Sequence, residues 1–285
     1  MLKPRILIAG ILVVSLAVSS LLGSCASTET PQLKVVTSIS LIAQIVERVG
    51  GDLVDVVNII PPAQCPGHFD VKPGDIQKLA DADLFLLGGW QGEMFSQELI
   101  DSANNPDLTV VVLGIPSNPQ SNWMTPPVQQ KAVEEITTAL SQVDNSNSAA
   151  YQESAAEYRD QIEAKATEIK ETLAGENLSN INVICSGMQA AFLKWVGLDV
   201  VVFYGRPDSL TPQVVKDLVD KGREAKVTLI IDNLQSGQDA GAGVAEELGC
   251  ARIILSNFPG GFDNTETWEK AIDRNIELIL GAIAP

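Results

Sequence analysis

A cysteine and a histidine lie three residues apart in a proline-rich loop that can bind a metal ion. The segment from Pro61 to Asp70 contains His68, the only histidine of the 285-residue chain, together with Cys65, one of four cysteines. Thiolate and imidazole are both good ligands for divalent cations of intermediate softness, so a Cys-x-x-His pair can close on one such ion. Two ligands do not complete a tetrahedral site. The others must come from distant parts of the chain.

The hydrophobic pattern predicts the elements that position this loop. Strands rich in β-branched residues alternate with amphipathic helices on both sides of a central segment, which is typical of parallel sheets covered by helices. In that segment, apolar residues recur at steps of three and four from Ser148 to Ala174, which predicts one helix about 40 Å long. We therefore expect an α/β fold with two parallel-sheet lobes, residues 33–145 and 176–285, joined by one long rigid helix within residues 146–175, and a ligand cleft between the lobes.

Potential ligands follow the carboxyl ends of several predicted strands. Ligands of open parallel sheets bind beyond these ends. If the two lobes face each other, two thiols, one imidazole and one carboxylate meet, which is enough for a tetrahedral metal site. The residues concerned are Cys65 and His68 after strand 54–60, Cys185 at the end of strand 182–185, and Asp232 after strand 227–231.

The N-terminus has the pattern of a secretion signal. A short basic start precedes an apolar run that ends at Leu22-Gly23-Ser24-Cys25, and this ending resembles a bacterial lipobox. A membrane-spanning anchor is the alternative for a run of this length. We expect residues 1–24 to be a lipoprotein signal peptide, Cys25 to carry the lipid, and residues 25–32 to be a tether. The mature protein is then extracytoplasmic and anchored to the cell membrane.

The composition is strongly acidic and restricts the classes of partner. The chain has 36 Asp and Glu against 19 Lys and Arg, a formal net charge of −17 at pH 7. Such a surface repels nucleic acids and attracts cations, so we expect no nucleic-acid partner. With Cys25 lipidated, three cysteines remain, which in an exported protein leaves at least one thiol free or metal-bound. No catalytic signature surrounds Cys65 or His68, so we do not expect an enzyme.

Stretches throughout the mature chain share the pattern of one known family. They are Val35–Ser38, Gly50–Asp52, Pro61-Pro62 with His68, Asp75–Leu84, Trp123 before Pro126, Ala191-Phe192 with Gly197-Leu198, and Ala245–Gly249. On these stretches the chain resembles the solute-binding lipoproteins of zinc and manganese ABC uptake transporters. The resemblance implies two α/β lobes joined by a long rigid helix, a metal ion in the cleft between them, and an ABC permease as partner. We expect the protein to be a monomer.

The resemblance also implies a set of metal ligands. The family pattern supplies three histidines and one acidic residue, and His68 and Asp232 lie at the first histidine position and at the acidic position. Ser121 occupies the second histidine position, and the third falls at or beside Cys185-Ser186. Cys65 and Cys185 are the residues that can replace the missing imidazoles. A set of Cys65, His68, Cys185 and Asp232 favours Zn²⁺ over Mn²⁺ or another transition metal, because manganese prefers oxygen ligands.

Alternatives remain open for the same cleft. Cys65 and Cys185 could form a disulfide, since this needs the same proximity as shared metal binding. A relative that has lost metal binding could hold a small anionic or organic solute, with Arg206 clamping an anion. Ser121, Ser186 and Met188 are further candidates as supporting or replacement ligands.

Overall fold

The computed structural model of the protein describes residues 32–89, 93, 95–115 and 121–284. The expected signal peptide, the lipidation site Cys25 and the tether up to residue 31 lie outside these ranges. From Gln32 onward, the chain forms one compact unit. Within the described ranges, no helix combines the length and the apolar character that crossing a membrane requires.

The first half of the chain forms a parallel sheet covered by helices. Its elements are β1 (Leu33–Thr37), α1 (Ser40–Gly50), β2 (Val54–Asn58), α2 (Pro73–Ala80), β3 (Leu84–Leu87), α3 (Phe95–Ala103), β4 (Thr109–Val112) and α4 (Pro126–Val143). The strand order is β2-β1-β3-β4, with Val35 paired to Val56 on one side and Val36 paired to Phe85 on the other. The strand order therefore reverses between β1 and β3: β2 lies on one side of β1, and β3 and β4 lie on the other. Open parallel sheets form a ligand-binding crevice at such a reversal.

One long helix, α5 (Ser148–Leu173), follows the first sheet. Its buried side chains, among them Tyr151, Tyr158 and Ile162, lie on one stripe that faces the core. The Tyr158 hydroxyl group contacts Gln44 of α1, whose Nε2 donates a hydrogen bond to it over 2.9 Å. The helix expected over residues 148–174 is confirmed to within one residue, because its apolar repeat is local.

The second half repeats the arrangement of the first. Its elements are β5 (Asn182–Ser186), α6 (Ala190–Val196), β6 (Asp199–Tyr204), α7 (Pro212–Ala225), β7 (Leu229–Asn233), α8 (Leu234–Gly237), α9 (Ala242–Leu248), β8 (Ala251–Leu255) and α10 (Trp268–Ile283). The strand order is β6-β5-β7-β8, again fully parallel. The second crevice therefore opens between β5 and β7.

Local sequence signals set several helix ends. Proline occupies the first helical position of α2, α4 and α7, where its missing N–H group costs nothing. The hydroxyl groups of Thr211 and Thr267 accept hydrogen bonds at the starts of α7 and α10. Gly197 and Gly249 end α6 and α9 with φ angles of 106° and 64°, which a residue with a side chain rarely adopts.

One hydrophobic core extends through both lobes. It includes Phe85 of the first sheet, Tyr151 of α5, and Leu229 and Ile231 of the second sheet. A smaller core, which contains Ile184, Tyr204 and Leu218, lies on the other face of the second sheet, under α7 and α9. Because the larger core is continuous, the lobes are held together by more than the helix that joins them. The α/β architecture with two parallel-sheet lobes is confirmed, and lobe boundaries at residues 145 and 175 remain predictions.

Candidate functional site

A cavity of about 730 Å³ lies at the carboxyl ends of strands from both sheets. Gly88, Gly89 and the segment after β4 form its wall in the first lobe, together with the loop that contains Cys65. In the second lobe, each of the four strands has a lining residue at its carboxyl end or shortly after it. These residues are Met188 after β5, Arg206 after β6, Asn233 at the end of β7 and Asn257 after β8. The cleft expected from the parallel topology is therefore present between the lobes.

Amide side chains connect the two walls of the cleft. Asn122 Nδ2 donates hydrogen bonds to the Met188 carbonyl oxygen over 2.7 Å and to Asn257 Oδ1 over 2.9 Å. The Asn257 backbone N–H donates to Gln235 Oε1, and Gln235 Nε2 donates to the carbonyl oxygen of Pro62 in the first lobe. These amides are fixed in orientation by their partners, so the polar lining of the cleft is already organised.

Arg206 and Cys65 form a contact across the cleft. Arg206 comes two residues after the end of β6, and its Nη2 donates a hydrogen bond to Cys65 Sγ over 3.0 Å. Gly67 permits this approach, because a Cβ atom at that position would lie 2.6 Å from Arg206 Nη2. Among the described lining residues, Arg206 carries the only charged side chain. The cleft therefore combines one thiol, one guanidinium group and neutral amides.

His68 lies beside the cleft and not in its lining. It ends a short 3₁₀ turn, Pro66–His68, and its side chain is exposed. Its backbone N–H donates to the Cys65 carbonyl oxygen, and its own carbonyl oxygen accepts a hydrogen bond from Gln64 Nε2 over 2.9 Å. The backbone of the turn therefore presents Cys65, Pro66 and Gly67 to the cavity.

Cys185 is a buried residue of the central strand β5. It is fully inaccessible, pairs with Phe203 on one side and Ile231 on the other, and belongs to the larger core. Burial raises the pKa of its thiol to about 12, because an apolar environment disfavours the thiolate. Cys65 and Cys185 are both free thiols, so the two do not form the disulfide considered as an alternative.

Asp232 is fully buried in a polar network behind the second sheet. Its Oδ1 accepts hydrogen bonds from the Tyr204 hydroxyl and from the Gly241 backbone N–H, and its Oδ2 lies 2.7 Å from Arg252 Nη1. Burial, and then the negative charge of Asp232, raises the pKa of Tyr204 above its usual value. Both oxygens of the carboxylate are therefore engaged on the side of the sheet away from the cleft, whereas the next residue, Asn233, lines the cavity.

The strand ends explain why Cys185 and Asp232 do not face the cleft. β5 continues to Ser186 and β7 to Asn233, one and two residues beyond their expected ends. Both residues thus lie inside the pleated strands, where successive side chains point to opposite faces of the sheet. Cys185 faces the main core, and Asp232 faces the smaller core with Tyr204.

The remaining sequence-derived candidates divide between the lining and the interior. Ser121 and Met188 line the cavity, and the side chain of Met188 is 41% exposed. Ser186 is buried, and its Oγ accepts a hydrogen bond from the Met188 backbone N–H. The lining amides were missed at the level of sequence. The available signal was that Asn233 follows the strand predicted over residues 227–231 by two residues.

No metal centre is assembled by the described residues. Within the ranges that the structure describes, no group of three or more His, Cys, Asp or Glu side chains is arranged to hold a metal ion. The expected convergence of Cys65, His68, Cys185 and Asp232 is therefore not seen, and Cys65 alone of these four lines the cavity.

Proteins of similar sequence transport or bind metals. The chain is 25% identical to the iron-binding protein YfeA of Yersinia pestis, over 92% of each chain. It is 26% identical to the manganese ABC transporter substrate-binding lipoprotein PsaA of Streptococcus pneumoniae, over 76% of this chain and 79% of that protein.

Solved structures share the fold, and a family model matches almost the whole described chain. FpvC of Pseudomonas aeruginosa in complex with Ni²⁺ has a TM-score of 0.76 at 21% identity and covers 89% of this chain and 97% of its own. ZnuA has a TM-score of 0.74 at 19% identity, with 89% and 100% covered. The family model for ZnuA, zinc-uptake complex component A, periplasmic, matches residues 35–282. This chain belongs to that family.

Proposed function

We propose that this chain is the solute-binding component of an ABC uptake transporter, and that its cargo is a divalent transition metal. The observation that carries the proposal is a preformed cleft between two parallel-sheet lobes in a chain that matches the family model over residues 35–282. YfeA is named as an iron-binding protein, and PsaA as a manganese ABC transporter substrate-binding lipoprotein. The partner is then an ABC permease, and the role requires no catalysis.

The finer proposal is that Zn²⁺ is the cargo and that Cys65 contributes to its binding. A thiolate favours zinc over manganese, and Cys65 is the described cleft residue with a thiol. The set of Cys65, His68, Cys185 and Asp232 as metal ligands remains a proposal. The position of Cys65 in the cavity lining supports the inclusion of that residue. For its sulfur to bind a metal, Arg206 must release it, and the thiol must lose its proton to solvent.

Metal content tests this proposal. Protein isolated from cells without air or chelators is expected to contain about one zinc per chain, and C65S about tenfold less, because a ligand is lost. C250S is the matched control, since Cys250 is half-buried and packs against the smaller core, away from the cavity. The measurement is elemental analysis of both variants and the wild type. Wild-type protein without bound metal, or an unchanged zinc content in C65S, would contradict the proposal.

We also propose that the mature protein is an extracytoplasmic monomer, anchored to the membrane by a lipid on Cys25. PsaA is named as a lipoprotein, which supports this assignment. C25A is expected to keep its signal peptide and to lack the mass of the lipid, because the thiol is the attachment atom. Intact-mass measurement of the membrane fraction checks this, and light scattering checks the monomer. A lipidated C25A protein would refute the anchor.

A further inference from the structure

The cleft has the dimensions of a site for a small organic molecule. Its volume of about 730 Å³ lies within the range of about 300–1,000 Å³ that is typical of such sites. A Zn²⁺ ion instead needs four ligand atoms at about 2.0–2.3 Å. Apart from the guanidinium group of Arg206, which cannot bind a cation, the described lining offers the thiol of Cys65, neutral amides, hydroxyls and apolar groups. An ion that entered alone would keep most of its ligands as water.

Although the protein is acidic, Arg206 makes no ion pair with any carboxylate in the described part of the chain. Its contact is the hydrogen bond to Cys65 Sγ. Several other arginines pair with Asp or Glu, namely Arg48, Arg223, Arg252 and Arg274. With a chain charge of −17, a guanidinium group that faces a cavity instead of a carboxylate is an anion-binding group.

The position of this charge is unfavourable for a bare cation and favourable for a carboxylate. A guanidinium group repels a divalent ion placed beside it, and the repulsion is stronger in a cleft than in water. The same group binds a carboxylate through two parallel N–H···O hydrogen bonds. Gly67 makes room for the guanidinium group itself, because a Cβ atom at that position would lie 2.6 Å from Arg206 Nη2.

The rest of the lining can contact an organic body. Val112 and Met188, which are 59% and 41% exposed, provide apolar surface, and the side-chain amide of Asn257, which is held in place by Asn122, can provide a hydrogen bond. Sites for small organic molecules combine these features: mostly apolar walls with a few oriented polar groups.

We infer that the cleft takes its divalent metal as a complex with a small carboxylate-bearing chelator, and that Arg206 binds a carboxylate of the chelator. This inference rests on the proposed function and specifies the form of the cargo. The chelator supplies the ligands that the described cleft lacks, and its negative charge matches Arg206. On binding, the guanidinium group exchanges its contact with Cys65 Sγ for the carboxylate.

Calorimetric titration of metal-free, reduced protein tests this inference. The probes are ZnCl₂ alone, the chelators citrate, malate and histidine alone, and the zinc complex of each chelator. At least one zinc complex is expected to bind about tenfold more tightly than ZnCl₂ and than its own chelator, because Arg206 recognises only the chelator and the metal organises its carboxylates.

Variants of Arg206 show whether the guanidinium group is responsible. R206A is expected to lose about tenfold or more in affinity for the complex, and R206K to recover only part of it, since an ammonium group cannot bind a carboxylate bidentately. R223A is the matched control, because Arg223 is exposed and pairs with Glu247 on the surface. Thermal unfolding of each variant verifies that it is folded.

Three other results would overturn the inference, and each of them also tests the proposed function. If ZnCl₂ alone binds as tightly as every complex and R206A binds like the wild type, the inference is wrong and metal capture stands. If a chelator alone binds as tightly as its zinc complex, the cargo is an organic anion, and metal capture also fails. If no probe binds, both are wrong.

Discussion

Replacing Asp232 with alanine is expected to lower the free energy of unfolding by about 3–5 kcal/mol, the typical effect of removing one partner of a buried ion pair. Asp232 is completely buried, whereas Arg252 remains 27% exposed. The substitution leaves the charge of Arg252 without its nearest partner and the Gly241 N–H without its acceptor, and it leaves the Tyr204 hydroxyl with the Ile231 carbonyl oxygen as its remaining acceptor. Urea unfolding of D232A and wild type measures the difference.

Asp239 provides the matched control for this prediction. It pairs with the same Arg252 over 3.2 Å but is 72% exposed, so D239A is expected to cost less than about 1 kcal/mol. The comparison also separates a structural role of Asp232 from the ligand role that the sequence predicts. A D232A protein with wild-type stability and without bound metal would identify Asp232 as a ligand.

Replacing Trp268 with alanine is expected to lower the free energy of unfolding by about 3–5 kcal/mol, as for other large aromatic side chains in cores. Trp268 starts α10, is fully buried, and its Nε1–H donates a hydrogen bond over 3.0 Å to the carbonyl oxygen of Met124, just before α4. W268F, which keeps a ring but removes the donor, is expected to cost about 1–2 kcal/mol. Both values come from urea unfolding.

The control for this prediction is Trp195, which is half-buried and stacks on Phe192. W195A is expected to cost less than half as much as W268A, because less surface is removed from the core. Equal losses for W195A and W268A would show that Trp268 has no special role. The predicted result would mean that the last helix of the chain holds the first lobe in place.

Hydrogen bonds and an ion pair that join distant parts of the chain indicate that the two lobes move only modestly relative to each other. Gln235 donates to Pro62 across the cleft, and Ser40 Oγ donates to the Pro259 carbonyl oxygen over 2.8 Å. α5 adds a contact between Lys165 and Asp273 of α10 over 3.0 Å. Large opening of the cleft would break these hydrogen bonds together with part of the continuous core. A change in the Arg206–Cys65 contact needs only side-chain rotation.

The sequence by itself determined the secondary structure and the class of fold, because their signals are local. The apolar repeat of residues 148–174 predicts α5, and alternating strands and helices predict parallel sheets with a cleft at their carboxyl ends. Family membership was also recognisable from short stretches such as Asp75–Leu84 and Ala245–Gly249. None of these inferences requires knowledge of which distant side chains meet.

Tertiary structure decided which side chains enter the cleft. Successive side chains of a strand point to opposite faces of the sheet, and where each strand ends decides which side chain reaches the cleft. These details place Cys185 in the core, Asp232 beside Arg252, and Asn233 in the cavity. The contact between Cys65 and Arg206 joins residues 141 positions apart, and no local pattern encodes it. The Cys65–His68 loop therefore contributes a thiol and the space at Gly67 to the cleft, and its histidine remains at the surface.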